Sequence, residues 1–412
     1  MISPAPGKSI RIGAVTGHGS SAARYGVGGT DLGIARRLPS GRTAVVLGDT
    51  FEQMRVGGPG WRSPVILYTD DDTPAALDNG VEFSGAVGGD YARQLWDYHH
   101  DGHPWRNGGF STVLPSDVIV IGSRMYLFVS VVRGLDEVVW TEIAYSDDEG
   151  ETWHNGGPAA TRPAMHEDGF QRGITWELGD DGWVYVLGSS WLINSGSNVR
   201  LWRVRPEDIL DRGKWEPWGW DGRRWAWGNR ATDIMPRGTK AREMNLRRVQ
   251  GKYVFTFTEI APVMGITCIV LDSMTSNMHT APASRVVRTV PWHTERTDPD
   301  NLAGQPYGGY IMPGSTLDCL YLLVSQWNTE AGWPYHTVLF AHSVSPEVAR
   351  PEVTPEPEPE PDLSVATRLY VLARTLLEMS NLDVSGIPAR PDAPDDELLA
   401  ATEAMLTSLM EL

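Results

Sequence analysis

The chain has 412 residues, of which 41% are hydrophobic, and a formal net charge of −17. This acidic balance excludes nucleic acid and anionic membranes as partners, because both are bound through basic surfaces. The 44 glycines and 29 prolines favour a fold with many turns over one built from long helices.

The first predicted element is a β-hairpin between residues 30 and 51. Two apolar runs flank Leu38–Gly41, where Pro and Gly supply the turn. Asp31 and Asp49 are equidistant from the centre of this turn, so a simple register places both carboxylates side by side at the open end. Paired carboxylates serve acid–base chemistry on a glycosidic bond, although Asp is also a common turn residue at strand ends.

Four more hairpins are predicted farther along the chain, each with a Gly-containing turn. They span residues 111–129, 173–187, 244–257 and 309–325, and most are followed by a third apolar strand. Five such units predict an all-β fold, a five-bladed β-propeller, with a β-sandwich as the competing architecture. The N-terminal run 10–15 is left over and is expected to close the ring as an extra strand.

Two local features receive structural interpretations. Residues 146–153, SDDEGETW, match the Asp-box turn S-x-D-x-G-x-T-W, so Asp148 is given no catalytic role. Asp117 is interpreted as part of the second hairpin.

Cys268 and Cys319 lie in apolar runs and are expected to be free, buried thiols.

The loop 97–103, DYHHDGH, is rich in residues that ligate metals. No helix or strand period places these residues on one face, so a loop that contacts substrate is the favoured interpretation. We therefore expect no metal site and no required cofactor, and we leave open a structural calcium ion.

The composition changes sharply after the last hairpin. Residues 351–361 read PEVTPEPEPEP, which is typical of an extended polyproline II spacer stiffened by charge repulsion. We therefore divide the chain into a propeller at 1–348, a Pro/Glu linker at 349–362 and a small two-helix segment at 363–412.

Helices are predicted in this C-terminal segment at Leu363–Asn381 and Pro394–Glu411, from the spacing of their apolar residues. Two short helices are too little to bury a core alone. The segment is therefore expected to self-associate or to dock on another protein.

The innermost strand of each propeller blade starts near the central axis on one face, so residues at these starts converge. Hairpin alignment places there Asp31, Gln171, Glu243 and Tyr310, with the strand-end residues Asp49, Glu259, Gln326 and Trp327 nearby. A funnel of carboxylates, amides and aromatic rings suits a furanoside or pyranoside chain as substrate. Several of the 17 tryptophans also lie in predicted loops, where they can stack on sugar rings.

A set of short motifs, in order along residues 10–345, resembles an actinobacterial family of endo-D-arabinanases that was long known only as a domain of unknown function. The motifs are GGTDLG at 28–33, LGDTF at 47–51, GWRS at 60–63, IAYSDD at 143–148, FQRG at 170–173, Glu243, YGGY at 307–310 and SQW at 325–327. The resemblance implies a five-bladed propeller that acts on the D-arabinofuranose chains of mycobacterial arabinogalactan and lipoarabinomannan. The chain departs from the family pattern at Leu114–Asp117 and in the His-rich loop, which bears on substrate preference.

The resemblance places Asp31, Asp49 and Glu243 on the family's acidic positions. Asp31 is expected to be the general base or nucleophile and Glu243 the general acid, while Asp49 orients Asp31 or raises a neighbour's pKa. Substrate contacts are predicted for Arg62, Ser63, Gln171, Tyr310, Gln326 and Trp327. The alternative is a non-catalytic protein that binds cell-wall glycan; a sialidase, which rests on the Asp-box alone, ranks third.

The first residues lack the basic and apolar regions of a signal peptide, and no apolar run is long enough to span a membrane. An enzyme for cell-wall arabinan must nevertheless reach the wall, which a bacteriophage virion protein does from outside. We therefore expect a minor tail protein located in the virion, with wall polysaccharide and other tail proteins as its partners.

Overall fold

The computed structural model describes residues 2–100, 110–134, 137–155, 173–190, 196–260, 264–292, 302–344, 366, 370 and 394–410. Contacts within the chain divide it into two compact units, Met1–Arg350 and Pro351–Leu412. The predicted Pro/Glu linker lies outside the described residues.

The strands of the first unit form a five-bladed β-propeller, with one sheet per blade. The first strand of the chain, β1, is Ser9–Ala14. Blade 1 consists of β2 (Gly29–Arg37), β3 (Thr43–Phe51), β4 (Val65–Thr69) and β5 (Phe83–Ala86), and a short helix α1 (Pro74–Leu77) precedes its last strand. Blade 2 consists of β6 (Thr112–Ile121), β7 (Arg124–Arg133) and β8 (Glu137–Ser146).

The remaining three blades follow in chain order. Blade 3 consists of β9 (Gly173–Leu178), β10 (Val184–Ser189), β11 (Arg200–Val204), β12 (Glu216–Trp220) and β13 (Trp225–Trp227). Blade 4 consists of β14 (Ala241–Val249), β15 (Lys252–Glu259), β16 (Gly265–Leu271), β17 (Ala283–Val290) and β18 (Leu302–Gly304). Blade 5 consists of β19 (Pro306–Ile311), β20 (Leu320–Trp327), β21 (Tyr335–His342) and β1. All five predicted hairpins are therefore confirmed.

The ring closes through both the inner and the outer strands. Each inner strand contacts the next one around the axis, in the order β2, β6, β9, β14 and β19, and β19 contacts β2 again. The first strand β1 pairs antiparallel with β21, so that Ser9 lies opposite His342 and Ala14 opposite Val338. This pairing confirms the prediction that the N-terminal run completes the last blade.

The blades are buried on both faces because each packs between two neighbours. All eight residues of β21 are buried, as are the residues of β20 from Leu320 to Gln326. Strands buried on both faces appear in a sequence as continuous apolar runs rather than as alternating patterns. Burial on both faces therefore explains why these strands could be predicted from continuous apolar runs in the sequence.

An ion pair lies at the centre of the propeller and joins blades 2 and 4. The guanidinium of Arg247 donates to both carboxylate oxygens of Asp117, at 2.7 and 3.0 Å, and both side chains are buried. Thr175 of blade 3 donates to the same carboxylate at 2.6 Å, and Arg247 also donates to the carbonyl oxygen of Ala35 in blade 1. Asp117 is therefore a strand residue, as interpreted, and it also links the inner strands of four blades.

The Asp-box has the structural role that its motif predicts. The carboxylate of Asp148 accepts hydrogen bonds from the backbone N–H and the hydroxyl of Thr152, at 2.8 and 2.6 Å, and from Ser146. These bonds satisfy the hydrogen-bond donors of the turn that follows β8. Cys268 and Cys319 are free and buried, as expected.

The second unit contains the helix α2 (Asp395–Met410), which confirms the predicted C-terminal helix. The other helix predicted there, Leu363–Asn381, lies outside the described residues except for Ala366 and Tyr370, which are helical. None of the helices in the described part of the chain is long and apolar enough to cross a lipid bilayer.

Candidate active site

A pocket of about 780 Å³ opens at one end of the propeller axis, and all five blades contribute to its wall. Blade 1 supplies Asp31 and Asp49, and blade 4 supplies Glu243. The predicted carboxylates therefore converge on one cavity. The rest of the wall is mostly apolar and aromatic, with rings from Phe51, Trp61, Tyr307, Tyr310, Trp327 and Tyr335.

β-Bulges shape the inner strands at this end of the axis. Register shifts occur at Thr30–Leu32 in β2, Pro115–Asp117 in β6, Ala241–Met244 in β14 and Gly308–Tyr310 in β19. A bulge bends its strand and redirects the side chain beside it. Asp31, Glu243 and Tyr310 each lie at such an irregularity and reach the pocket.

The first bulge changes the predicted register of the two aspartates. Thr30 lies opposite Thr50 and Leu32 opposite Leu47, so Asp31 alone stands across from both Gly48 and Asp49. A Cβ atom at Gly48 would overlap Oδ1 of Asp31. Glycine at position 48 is therefore what lets the carboxylate of Asp31 lie against the neighbouring strand.

The backbone next to Asp31 is strained. Leu32 has φ of +62°, in the left-handed region that L-residues with large side chains rarely adopt. Such outliers persist where the surrounding structure holds them, and they cluster at functional sites. The strained backbone at Leu32 therefore points to a functional role for the first half of β2.

Asp31 is the most perturbed carboxyl group of the site. Burial raises its pKa to about 8, and the negative charge of Asp49 contributes to the increase. Hydrogen bonds from Tyr335 and Tyr307 act in the opposite direction, the hydroxyl of Tyr307 donating to Oδ2 at 3.0 Å. Oδ1 is buried and has no hydrogen-bond partner within the described ranges. Asp31 therefore holds a proton at neutral pH.

Asp49 is held by two donors. The indole N–H of Trp61 and the hydroxyl of Thr112 both donate to its Oδ1, at 2.7 and 2.6 Å. Burial raises the pKa of Asp49, and these two hydrogen bonds lower it again in part. The two donors fix the carboxylate in one orientation beside Asp31.

Trp61 is itself supported by the described part of the His-rich loop. The ring of His100 stacks on Trp61 with centroids 4.1 Å apart. The ring nitrogens of His100 lie 3.0 Å from the carbonyl oxygen of Ser111 and 2.7 Å from Oε1 of Gln94. His100 therefore supports Trp61. Residues 101–103 of this loop lie outside the described residues, so its contact with substrate stays a prediction.

Glu243 is paired with a cation. Nη2 of the adjacent Arg242 lies 2.7 Å from Oε1 of Glu243, and both side chains are largely buried. The other oxygen, Oε2, is buried and has no hydrogen-bond partner among the residues that the structure describes. An ion-paired carboxylate with one unsatisfied oxygen, in the wall of a pocket, is suited to accept a proton or to attack an electrophilic carbon.

Two of the predicted substrate contacts line the pocket, namely Tyr310 and Trp327. The indole N–H of Trp327 is buried and has no partner in the described part of the chain. Gln171 lies outside the described residues.

Three other predicted contacts have internal roles instead. Arg62 donates to the carbonyl oxygens of Gly60, Ala92 and Gly26, at 2.9, 2.6 and 2.6 Å, and so holds loops together. Ser63 is fully buried and donates to the carbonyl oxygen of Val113. Gln326, also fully buried, bonds to Arg11 and to the carbonyl oxygen of Gly304. None of the three is among the residues that line the pocket, and their contact with substrate stays a prediction.

Tyr307 and Tyr335 contact Asp31 and Thr112 contacts Asp49, and none of the three was predicted as a site residue. The available signals were the YGGY motif, in which Tyr307 precedes Tyr310, and the position of Tyr335 at the start of the third strand of its blade. Thr112 begins β6 in the same way that Gly29 and Thr30 begin β2. No group of three or more His, Cys, Asp or Glu side chains in the described ranges is arranged to hold a metal ion.

Three comparisons relate this fold and site to known proteins. Residues 16–341 match the model of a family described as a domain of unknown function, DUF4185. An uncharacterized 35.9 kDa protein of Mycolicibacterium smegmatis is 31% identical over 347 residues, which cover 81% of this chain and 97% of that protein. Notoamide biosynthesis cluster protein J' of Aspergillus versicolor is 30% identical over 75% of this chain and 83% of its own. The crystal structure of a hydrolase candidate from Bacteroides ovatus superposes with a TM-score of 0.52 at 14% identity, over 78% of this chain and 87% of that one, which shows a shared fold.

Proposed function

This chain belongs to the DUF4185 family, and from that premise we propose that it is a glycoside hydrolase that cleaves within D-arabinofuranosyl chains of mycobacterial cell-wall arabinan. The observation that carries the proposal is the convergence of Asp31, Asp49 and Glu243 on one pocket. The choice of D-arabinan as substrate rests on the motif resemblance to endo-D-arabinanases.

The environments of the carboxyl groups support distinct roles. Glycosidases need one carboxylic acid that protonates the leaving oxygen and one carboxylate that attacks the anomeric carbon or activates water. Asp31, whose pKa is raised to about 8 by burial and by Asp49, carries a proton at neutral pH. Glu243 is paired with the guanidinium of Arg242 through Oε1, and its Oε2 has no partner among the described residues, so this oxygen is placed to attack or to accept a proton.

We therefore assign Asp31 as the general acid and Glu243 as the nucleophile or general base. This assignment reverses the roles expected from the sequence, because the sequence held no information on how deeply each carboxyl is buried. Asp49 stays close to Asp31 and raises the pKa of Asp31. Its negative charge also stabilises the positive charge that develops on the sugar ring in the transition state.

The pocket wall supports a sugar chain as ligand. The rings of Tyr310 and Trp327 give the wall apolar aromatic groups, and hydroxyl and indole N–H groups in it offer hydrogen bonds. This combination is what a furanose ring with apolar C–H groups and several hydroxyls requires.

The test compares Asp31→Asn and Glu243→Gln on two substrates, mycobacterial arabinogalactan and an aryl arabinofuranoside with a dinitrophenol leaving group. Dinitrophenolate leaves without protonation, so Asp31→Asn is expected to lose about 10²- to 10⁴-fold on the polysaccharide and little on the aryl substrate. Glu243→Gln is expected to lose activity on both. If Glu243→Gln keeps the aryl activity and Asp31→Asn does not, the roles are the reverse.

A matched control is Glu259→Gln. Glu259 ends β15 and is paired with Arg285 at 2.8 Å, and it does not line the pocket. It is expected to retain activity. Binding of arabinogalactan by the wild-type protein without any release of oligosaccharides contradicts the enzymatic proposal and favours the non-catalytic glycan-binding alternative.

The predicted location in a phage virion remains a separate proposal. Detection of the protein in purified virions by mass spectrometry supports it, and its absence from them contradicts it.

A further inference from the structure

Four tryptophans share one face of the outermost hairpin of blade 3. In the β12–β13 pairing, Trp218 lies opposite Trp227 and Trp220 lies opposite Trp225. Because side chains alternate between the two faces of a strand, all four rings lie on the same side. Ring centroids are 5.0 Å apart for Trp218 and Trp227, and 6.1 Å apart for Trp220 and Trp225.

The rings nearer the turn are exposed. Trp220 is 45% exposed and Trp225 is 39% exposed, whereas Trp218 and Trp227 are partly buried against the core between blades 3 and 4. The opposite face of the hairpin is closed, since a Cβ atom at Gly219 would overlap the carbonyl oxygen of Arg230. Exposed apolar side chains that lie next to one another are typical of interaction surfaces, whereas single exposed apolar residues are common on any protein.

The exposed pair continues a longer row of flat groups. The guanidinium of Arg203 lies between the rings of Trp227 and Trp183, 4.3 and 4.2 Å from their centroids. Trp218 connects this stack to Trp225 through nearly parallel rings, 18° apart. The surface is thus a strip, which suits an extended chain better than a small molecule.

The exposed end of this strip is on the same side of the propeller as the pocket. Ser189 and Gly173, which line the pocket, are paired at one end of β10 and β9. In the neighbouring strands, Arg200 pairs with Gly188 at that end, while Glu216 pairs with Arg203 toward the other. β12 therefore runs from Glu216 back toward the pocket side, and Trp220 lies at that end.

We propose that the Trp220–Trp225 surface is a second carbohydrate-binding site, which holds the polysaccharide at a distance from the point of cleavage. Sugar rings would stack on the two exposed indoles. The exposed guanidiniums of Arg223 and Arg224, in the turn between the strands, would donate hydrogen bonds to hydroxyls. The choice of D-arabinan as its ligand rests on the proposed function, whereas the existence of a carbohydrate surface does not.

A purely structural role is the competing explanation, because cross-strand aromatic pairs stabilise hairpins. That role needs the rings only to touch each other. It does not require the surface to retain any ligand, so binding measurements separate the two explanations.

The experiment uses the full chain with Glu243→Gln, so that polysaccharide is not consumed, in affinity electrophoresis through gels containing mycobacterial arabinogalactan. Adding Trp220→Ala and Trp225→Ala is expected to weaken retardation about tenfold, as the loss of two stacking contacts implies. Trp220→Phe with Trp225→Phe keeps two flat rings and is expected to retain most of the binding. Leu210→Ala, at another exposed apolar residue (41%), is the matched control.

Thermal unfolding of each variant is measured alongside. If the double alanine variant loses its cooperative transition, the single variant Trp225→Ala carries the same test. Retardation that is unchanged by the alanine variants of a folded protein overturns this proposal and leaves the proposed function intact. Tryptophan-dependent binding by a wild-type protein that hydrolyses no arabinan overturns the proposed function and leaves the surface site intact.

Discussion

The hydroxyl of Tyr307 donates a hydrogen bond to Oδ2 of Asp31, across the junction between blades 5 and 1, at 3.0 Å. Burial raises the pKa of Tyr307 well above its ordinary value, and the negative charge of Asp31 adds to this. Tyr307 therefore keeps its proton and remains a hydrogen-bond donor at neutral pH. It orients Asp31 whether that carboxyl group is protonated or ionised.

The pKa of Asp31 predicts a cost to stability at alkaline pH. Its ordinary value is 3.8 and its value in the folded protein is about 8, so between these pH values the folded state binds more protons than the unfolded chain. The free energy of unfolding therefore falls as the pH rises from about 4 to about 8, and this contribution is then constant.

Asp31→Asn removes that cost because an amide does not ionise. We expect the variant to melt on the order of 2 °C or more above the wild type at pH 9, and close to it at pH 4. The measurement is differential scanning fluorimetry at both pH values. An equal increase in melting temperature at pH 4 and pH 9 would show that the buried charge of Asp31 is not the cause.

Gly48→Ala tests the close contact between β3 and Asp31. The new methyl group would overlap Oδ1 of Asp31 and approach Cδ1 of Leu32 to 3.0 Å, so the carboxyl group must move. A displacement of about 1 Å can cost on the order of 10²-fold in rate, and we expect such a loss in kcat. Gly13→Ala, where a Cβ meets no atom within 4 Å, is the matched control. Equal activity of the two variants contradicts this role of Gly48.

Thr112→Val tests the support of Asp49. The substitution keeps the shape of the side chain but removes the hydroxyl that donates to Oδ1, so the pKa of Asp49 is expected to rise further. Because the proposed mechanism uses the negative charge of Asp49, the acidic limb of the pH–rate profile is expected to move to higher pH. Thr43→Val, on the same strand as Asp49, removes a buried hydroxyl that has no partner among the described residues, and it serves as the control. If the acidic limb lies at the same pH in Thr112→Val and in the wild type, the rate does not depend on the ionisation of Asp49, and this prediction is wrong.

The architecture of the propeller could be predicted from the sequence, but the details of its site could not. Strands buried on both faces leave long apolar runs, and Gly-containing turns separate them, so the five hairpins and the closing strand were visible. Asp31 and Glu243 could be placed near the axis from their positions at strand starts, and Asp49 from its position at the end of the second strand. Bulges leave no comparable pattern, because one extra residue in a strand does not change its composition.

Burial and partner choice were equally hidden. Arg62 and Gln326 have the polar side chains that a substrate site needs, yet they bond to internal carbonyl oxygens. Asp117 looked like an ordinary strand residue because its partner, Arg247, is 130 residues away. Such pairs depend on contacts between blades, which no local window of sequence contains.

The Asp117–Arg247 pair predicts a large and specific loss of stability. Replacing Arg247 by Met leaves the carboxylate of Asp117 buried without its cation, which typically costs about 3–5 kcal/mol. Neither residue lines the pocket, so the folded fraction of the variant is expected to retain its activity. Urea unfolding at pH 7 measures the loss. The comparison is Asp272→Asn, which removes an exposed ion pair with Lys252 and is expected to cost at most about 1 kcal/mol. A similar small cost for Arg247→Met would mean that the axis of the propeller is held by the inner strands themselves and not by this ion pair.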